Sequence, residues 1–115
     1  MSGMIFFGVD KTNNESLHSL INGYYWDALG DLIDLALEKE YPNLHKIIKS
    51  EEAVALSYYY FNELNTLELK ITIRAIRDEI AKWNELSIWQ SRAKQVWENT
   101  CEQWILRDKR LSSAD

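Results

Sequence analysis

The sequence predicts an all-α fold, a single-domain helical bundle of about five or six helices spanning residues 1–115. Three observations predict it. Apolar side chains make up 46% of the chain and recur mostly at steps of three and four. Only one proline and four glycines punctuate 115 residues, so breakers are scarce. Charged residues are interspersed with Leu, Ile and Trp, the texture of amphipathic helices around one core. A chain of this length supports one core, and nothing in it marks a linker, a repeat or a second domain.

The elements follow in order. Residues 4–9, MIFFGV, are expected to be an apolar plug or a short extended piece lying on the core. Residues 10–21, DKTNNESLHSLI, are expected to start the first helix. Asn13 or Asn14 would cap it, with Glu15 in the first turn where the dipole favours an acid. Gly23 would end that helix or bend it into the next. The second helix runs through Asp27 to Glu40 and stops near Tyr41, because Pro42 follows. NLHKIIK makes a short helix, and SEEAVALSYYYFNEL a further one capped by Ser50.

Residues 66–83, TLELKITIRAIRDEIAKW, carry two patterns. Leu67, Leu69, Ile71 and Ile73 alternate as in a strand. Leu69, Ile73, Ile76, Ile80 and Trp83 step by four and three, and this longer pattern favours helix. The last helix opens at Ser87, with Gln90 at capping-box spacing, and runs to about Arg107. Its Trp89, Ala93, Val96, Trp97, Thr100 and Trp104 form one apolar face. Trp89, Trp97 and Trp104 are expected in the core with Leu69, Ile73, Ile76 and Ile80. Residues 108–115 are expected to be a flexible tail.

Catalytic signatures are missing. His18 closes a single Glu-x-x-His spacing, which di-iron bundles need twice with two further carboxylates. His45 has Pro42 where the acid of that motif would stand. No zincin, Cys-x-x-Cys or phosphate-loop pattern occurs, so the expectation is no enzyme, no cofactor and no metal. Cys101 is alone, which excludes an internal disulfide and suits a reducing compartment. The start lacks a basic signal-peptide region, and no run approaches the ~20 apolar residues of a membrane span. These readings predict a cytoplasmic protein.

Charge is what the chain displays. Residues 1–65 balance at −6 and residues 66–115 at +1. An acidic half repels nucleic-acid phosphates and favours a basic protein partner. Within it, Asp27, Asp31, Asp34 and Glu38 are spaced four, three and four apart. In a helix they fall within an arc of about 60°, opposite Leu29, Leu32, Ile33, Ala36 and Leu37. No Lys or Arg stands three or four residues from any of them. Each like-charge neighbour pair costs about 0.2–0.5 kcal/mol. By contrast, Arg74 with Asp78 and Lys94 with Glu98 have the spacing of helical ion pairs. Gly30 lies at the edge of the acidic stripe, where a missing side chain would let a partner approach. Tyr24 lies at the other edge, as an interface anchor. The expected partner-binding set is therefore Tyr24, Asp27, Gly30, Asp31, Asp34 and Glu38. YYYF, Tyr58 to Phe61, is a second aromatic cluster, half core and half available surface.

The stripe DALGDLIDLALEKE with YYW before it, on a small acidic domain, resembles in type the immunity proteins of contact-dependent growth inhibition and other polymorphic toxin systems. That resemblance implies a tight one-to-one complex with a cognate toxin domain, often a basic nuclease, whose active site is covered by acids standing in for phosphates. The alternative is a helical adaptor or chaperone that binds a partner helix in an exposed apolar groove.

Overall fold

The N-terminal segment folds as sheet, which overturns the all-α expectation. In the computed structural model, which describes residues 2–111, β1 (Gly3–Val9) pairs antiparallel with β2 (Ser16–Ile21) and parallel with β3 (Tyr58–Tyr60), in the order β2-β1-β3. The protein is a mixed α/β domain, 62% helical and 16% strand. The helical texture therefore describes most of the chain but not its start.

The residues expected to begin a helix at 10–21 instead make a turn and a strand. Asp10 accepts the Thr12 amide through its side chain at 2.7 Å, and Asn13 accepts the Glu15 amide at 3.0 Å. Asn14 takes a left-handed φ of 60°. These short polar side chains bond their own backbone and reverse the chain, so they build a turn and not a helix cap. In β2, Leu17 and Ile21 are buried while Ser16, His18 and Leu20 are exposed. A spacing of four is shared by a helix face and by every second strand position, and pairing with β1 decides between them. A bulge lies between Phe6 and Gly8, where Gly8 has φ +152°. That conformation suits glycine, and a β-carbon there would also collide with the side chains of Asp108 and Arg110.

α1 (Gly23–Leu37) is capped by Asn22. Pro42 opens α2 (Pro42–Ile48), where its missing N–H costs nothing. Ser50 caps α3 (Glu51–Leu56), as expected, but Ser57 at φ 57° ends that helix within two turns and the tyrosines leave as β3. Residues 67–76 are helix, inside α4 (Thr66–Ala81), which starts with an Asn65–Glu68 capping box. The Ser87–Gln90 box starts α5 (Ile88–Val96); a π-helical turn (Trp97–Cys101) carries it into α6 (Glu102–Ile105).

One core joins the layers. Ile5, Phe7, Leu17, Ile21 and Tyr59 supply the inner face of the sheet, meeting Leu29, Leu32, Ile33 and Leu37 of α1 and Leu69, Ile73, Ile76 and Ile80 of α4. Trp97 is fully buried; Trp89 and Trp104 are only half-buried at its edge. The expected tail at 108–115 is also corrected over 108–111. Asp108 is fully buried, and the Arg110 guanidinium donates to it and to the carbonyls of Phe7, Phe61 and Leu64. Arg107 holds the buried Asp10 at 2.7 Å. The segment thus straps the bulge of β1 to the turn before α4. Residues 112–115 lie outside the described residues. Among the described residues no helix is long and apolar enough to cross a membrane.

Candidate functional site

α1 holds the acidic stripe, and the fold sorts its members. Asp27 and Asp31 are exposed and have no ion pair among the described residues. Asp34 differs, because α2 presents His45, and the residue that caps its C-terminus, Lys49, reaches the same acid. Lys49 Nζ lies 2.8 Å and His45 Nε2 2.7 Å from Asp34 Oδ1, and Glu38 is 3.8 Å from the same imidazole nitrogen. The stripe is therefore neutralised at Asp34, which becomes a clamp between α1 and α2. The sequence offered no partner on the same helix, and the partner came from the next one.

Gly30 makes room for a core side chain. It is buried, and a β-carbon there would collide with the Tyr59 hydroxyl. Tyr59 stacks on Trp26 at 3.8 Å with 9° between the ring planes. Burial raises the pKa of its hydroxyl well above the tyrosine norm, and the nearby carboxylates of Asp34, Asp27 and Asp31 raise it further. Tyr24, by contrast, is 72% exposed. The Arg92 guanidinium of α5 lies 4.6 Å over its ring. Of the six expected residues, Tyr24, Asp27, Asp31 and Glu38 face outward.

Asp34, Glu38 and His45 bring one donor atom each within 4.8 Å of one another. A divalent cation could use that set, but the Lys49 ammonium occupies the same Asp34 oxygen and competes with it. Lys49 is the cation that the structure places at this cluster.

A second surface contains the Tyr58–Tyr60 cluster expected from the sequence, joined by residues of β1 and β2 that were not expected there. On the outer face of the sheet, Met4 lies between Leu20 and Tyr58, and Phe6 lies between His18 and Tyr60. Phe6 meets Tyr58 edge-on at 5.0 Å and approaches Tyr60 at 6.0 Å and His18 at 6.1 Å. Leu20 is 68% exposed. Burial, then the charges of Glu52, Tyr58 and Glu63, raise the Tyr60 pKa. The only signal in the sequence was FF at 6–7 and YYY at 58–60, with alternate rings forced outward. The register that joins them is non-local.

Two grooves run along α4. One of about 550 Å³ lies by α4 and α6 and includes Arg77, which is held by Glu102. One of about 430 Å³ lies between α1 and α4, with Leu35, Ala36, Leu67, Ile71 and Ala75 in its lining. The Asp10 carboxyl is held below the usual carboxylate range by the Thr12 amide and by Arg107. It lies in the β1–β2 turn and lines neither groove. Comparison with protein-family models, with curated proteins and with solved structures found no match for the chain.

Proposed function

We propose that the protein is a cytoplasmic immunity-type inhibitor that binds a basic cognate toxin domain through the outward face of α1 and so covers the toxin's active site. The observation that supports it is the pair Asp27 and Asp31. They stand exposed on successive turns, unpaired among the described residues, on a helix whose opposite face is locked into the core. Tyr24 flanks them on the exposed side. Such a rigid acidic face suits association with a cationic surface: it speeds encounter and adds coupling energy once charges are desolvated. Glu38 extends the field beyond the Asp34 clamp. No catalysis is assigned to this chain, whose role would be stoichiometric.

The test is co-expression. Each reading frame adjacent to this gene is expressed in a sensitive host with and without this chain. One neighbour should be toxic alone and harmless with it, and the two proteins should co-purify in equal amounts. Asp27→Lys with Asp31→Lys should abolish protection while leaving the fold intact. Full protection by that double variant would refute the role of α1.

The groove between α1 and α4, where Leu35, Ala36, Leu67, Ile71 and Ala75 alternate with charged residues such as Arg74 and Glu79, favours one other reading, an adaptor that seats an amphipathic partner helix there. Leu35 and Leu67, both more than half exposed, would then be the anchors. In that case Leu35→Ser with Leu67→Ser would lose binding and the α1 acids would be dispensable.

A further inference from the structure

A three-stranded sheet with one solvated face normally carries polar side chains on it. Here the outer face carries Met4, Phe6, His18, Leu20, Tyr58 and Tyr60; His18 and Leu20 are exposed and the other four are half-buried. Phe6, Tyr58 and Tyr60 pack against one another, with centroids 5.0 to 6.0 Å apart. Each ring is therefore held by its neighbours, and a ligand would meet a preformed aromatic floor with little side-chain entropy left to lose.

The charge around that floor chooses the ligand. None of its six positions is Lys or Arg. Glu52, in the first turn of the α3 helix that leads into β3, and Glu63, three residues after Tyr60, are both exposed, and both act on the Tyr60 hydroxyl. A nucleic acid could stack on the rings, but its phosphates would meet these carboxylates. A cation would be drawn by both the rings and the acids. Two other rings of the chain lie under guanidinium groups: exposed Tyr24 under Arg92 at 4.6 Å and half-buried Trp104 under Arg107 at 5.0 Å. The sheet-face rings receive no such guanidinium from within the described residues. Arginine fits this setting better than lysine, because its planar group stacks on a ring while its N–H fork reaches a carboxylate.

Size narrows the partner further. Adjacent strands lie about 4.8 Å apart and alternate residues about 6.7 Å, so the Cα grid measures roughly 10 by 7 Å. That holds two or three side chains, which is a segment and not a globular face. We infer that the outer face of the sheet, centred on Phe6, Tyr58 and Tyr60 and bordered by Glu52 and Glu63, is a docking surface for an arginine-bearing segment of a partner protein. This surface is separate from the acids of α1, and either could act without the other.

The test is an NMR titration of the full chain with capped hexaarginine and, in parallel, capped hexalysine. Hexaarginine should shift the signals of Phe6, His18, Tyr58 and Tyr60 in a saturable way. Hexalysine should act more weakly by about 2- to 5-fold for each ring contact. Tyr58→Ser with Tyr60→Ser should remove the preference for arginine. Glu52→Gln with Glu63→Gln, two exposed positions that leave the sheet intact, should weaken hexaarginine binding even if the tyrosine variant does not fold. Asp27→Lys with Asp31→Lys should leave these shifts in place, which separates this surface from α1. Equal response to both peptides, shifts confined to α1, or no shift would overturn the inference. So would stronger shifts of the same residues with oligothymidylate, or loss of the peptide site because two copies of the chain pair through this face.

Discussion

Gly30→Ala should have opposite effects in two backgrounds. In a helix interior, alanine is favoured over glycine by about 1 kcal/mol. In this protein the new β-carbon would collide with the Tyr59 hydroxyl. The tyrosine cannot swing aside easily, because its ring lies flat on Trp26 at 3.8 Å and the residue is buried. Overpacking of this kind costs about 1–3 kcal/mol, so Gly30→Ala alone should lose roughly 0–2 kcal/mol after the helix gain is counted. Tyr59→Phe removes the obstructing oxygen. The ring carbon behind it lies 3.6 Å from where that β-carbon would sit, an ordinary contact. The hydrogen bond given up, Tyr59 hydroxyl to Trp26 carbonyl at 3.4 Å, is long and should contribute about 0.5 kcal/mol at most. In the Tyr59→Phe background, Gly30→Ala should therefore stabilise by about 1 kcal/mol. Urea denaturation of the four proteins gives the coupling directly, since a domain of this size is expected to unfold in two states. If Gly30→Ala stabilises the protein equally in both backgrounds, the glycine is not there for Tyr59. An approach site for a partner would then be the better account of it.

The clamp between α1 and α2 predicts a contrast within one stripe. Asp34→Lys should destabilise the fold by about 1 kcal/mol, a figure reduced because the pair is partly solvated, whereas Asp31→Lys should change stability by no more than about 0.5 kcal/mol; thermal melts of the two variants would show it. Arg110→Ala should cost about 3–5 kcal/mol, because it leaves the fully buried Asp108 without its cation, and chemical denaturation would measure the loss. High pH should also matter. The folded-state pKa of Tyr59 is raised above the unfolded value of 10.0, so its contribution is fully present below pH 10 and is lost as pH rises further. Stability should fall less steeply above that pH in Tyr59→Phe, and an equal slope in both proteins would refute the burial argument.

Local signals in this sequence were legible where they needed no distant partner. Ser50 and Ser87 cap the helices they were expected to cap, Pro42 divides α1 from α2, and the four-three rhythm from Leu69 to Ile80 outweighs the strand-like alternation that begins it. What could not be read was pairing. Leu17 and Ile21 satisfy helix and strand alike, and only the β1 backbone selects strand. Phe6 meets Tyr60 through a parallel register between segments far apart in the chain, so the aromatic clusters were visible locally but their union on one face was not. The acidic stripe was visible, with its spacing and its outward direction. Its partial neutralisation was not, because His45 and Lys49 belong to another helix. Gly30 shows the same limit, since a glycine at the edge of a charged face looks like an entry point until the ring beneath it is known.

The central claim is that the free acids of α1 recognise a basic protein. The most direct measurement is the association rate of this chain with the partner identified by the co-expression test, taken over a range of salt concentrations for the native protein and for Asp27→Lys with Asp31→Lys. Exposed charge pairs steer encounter and are screened by salt. The native rate should fall steeply as salt rises. The double variant should associate at least about tenfold more slowly at low salt and show a much flatter dependence, with its folded stability unchanged. Equal rates and equal salt slopes for the two proteins would contradict the claim and leave α1 as an ordinary solvated helix.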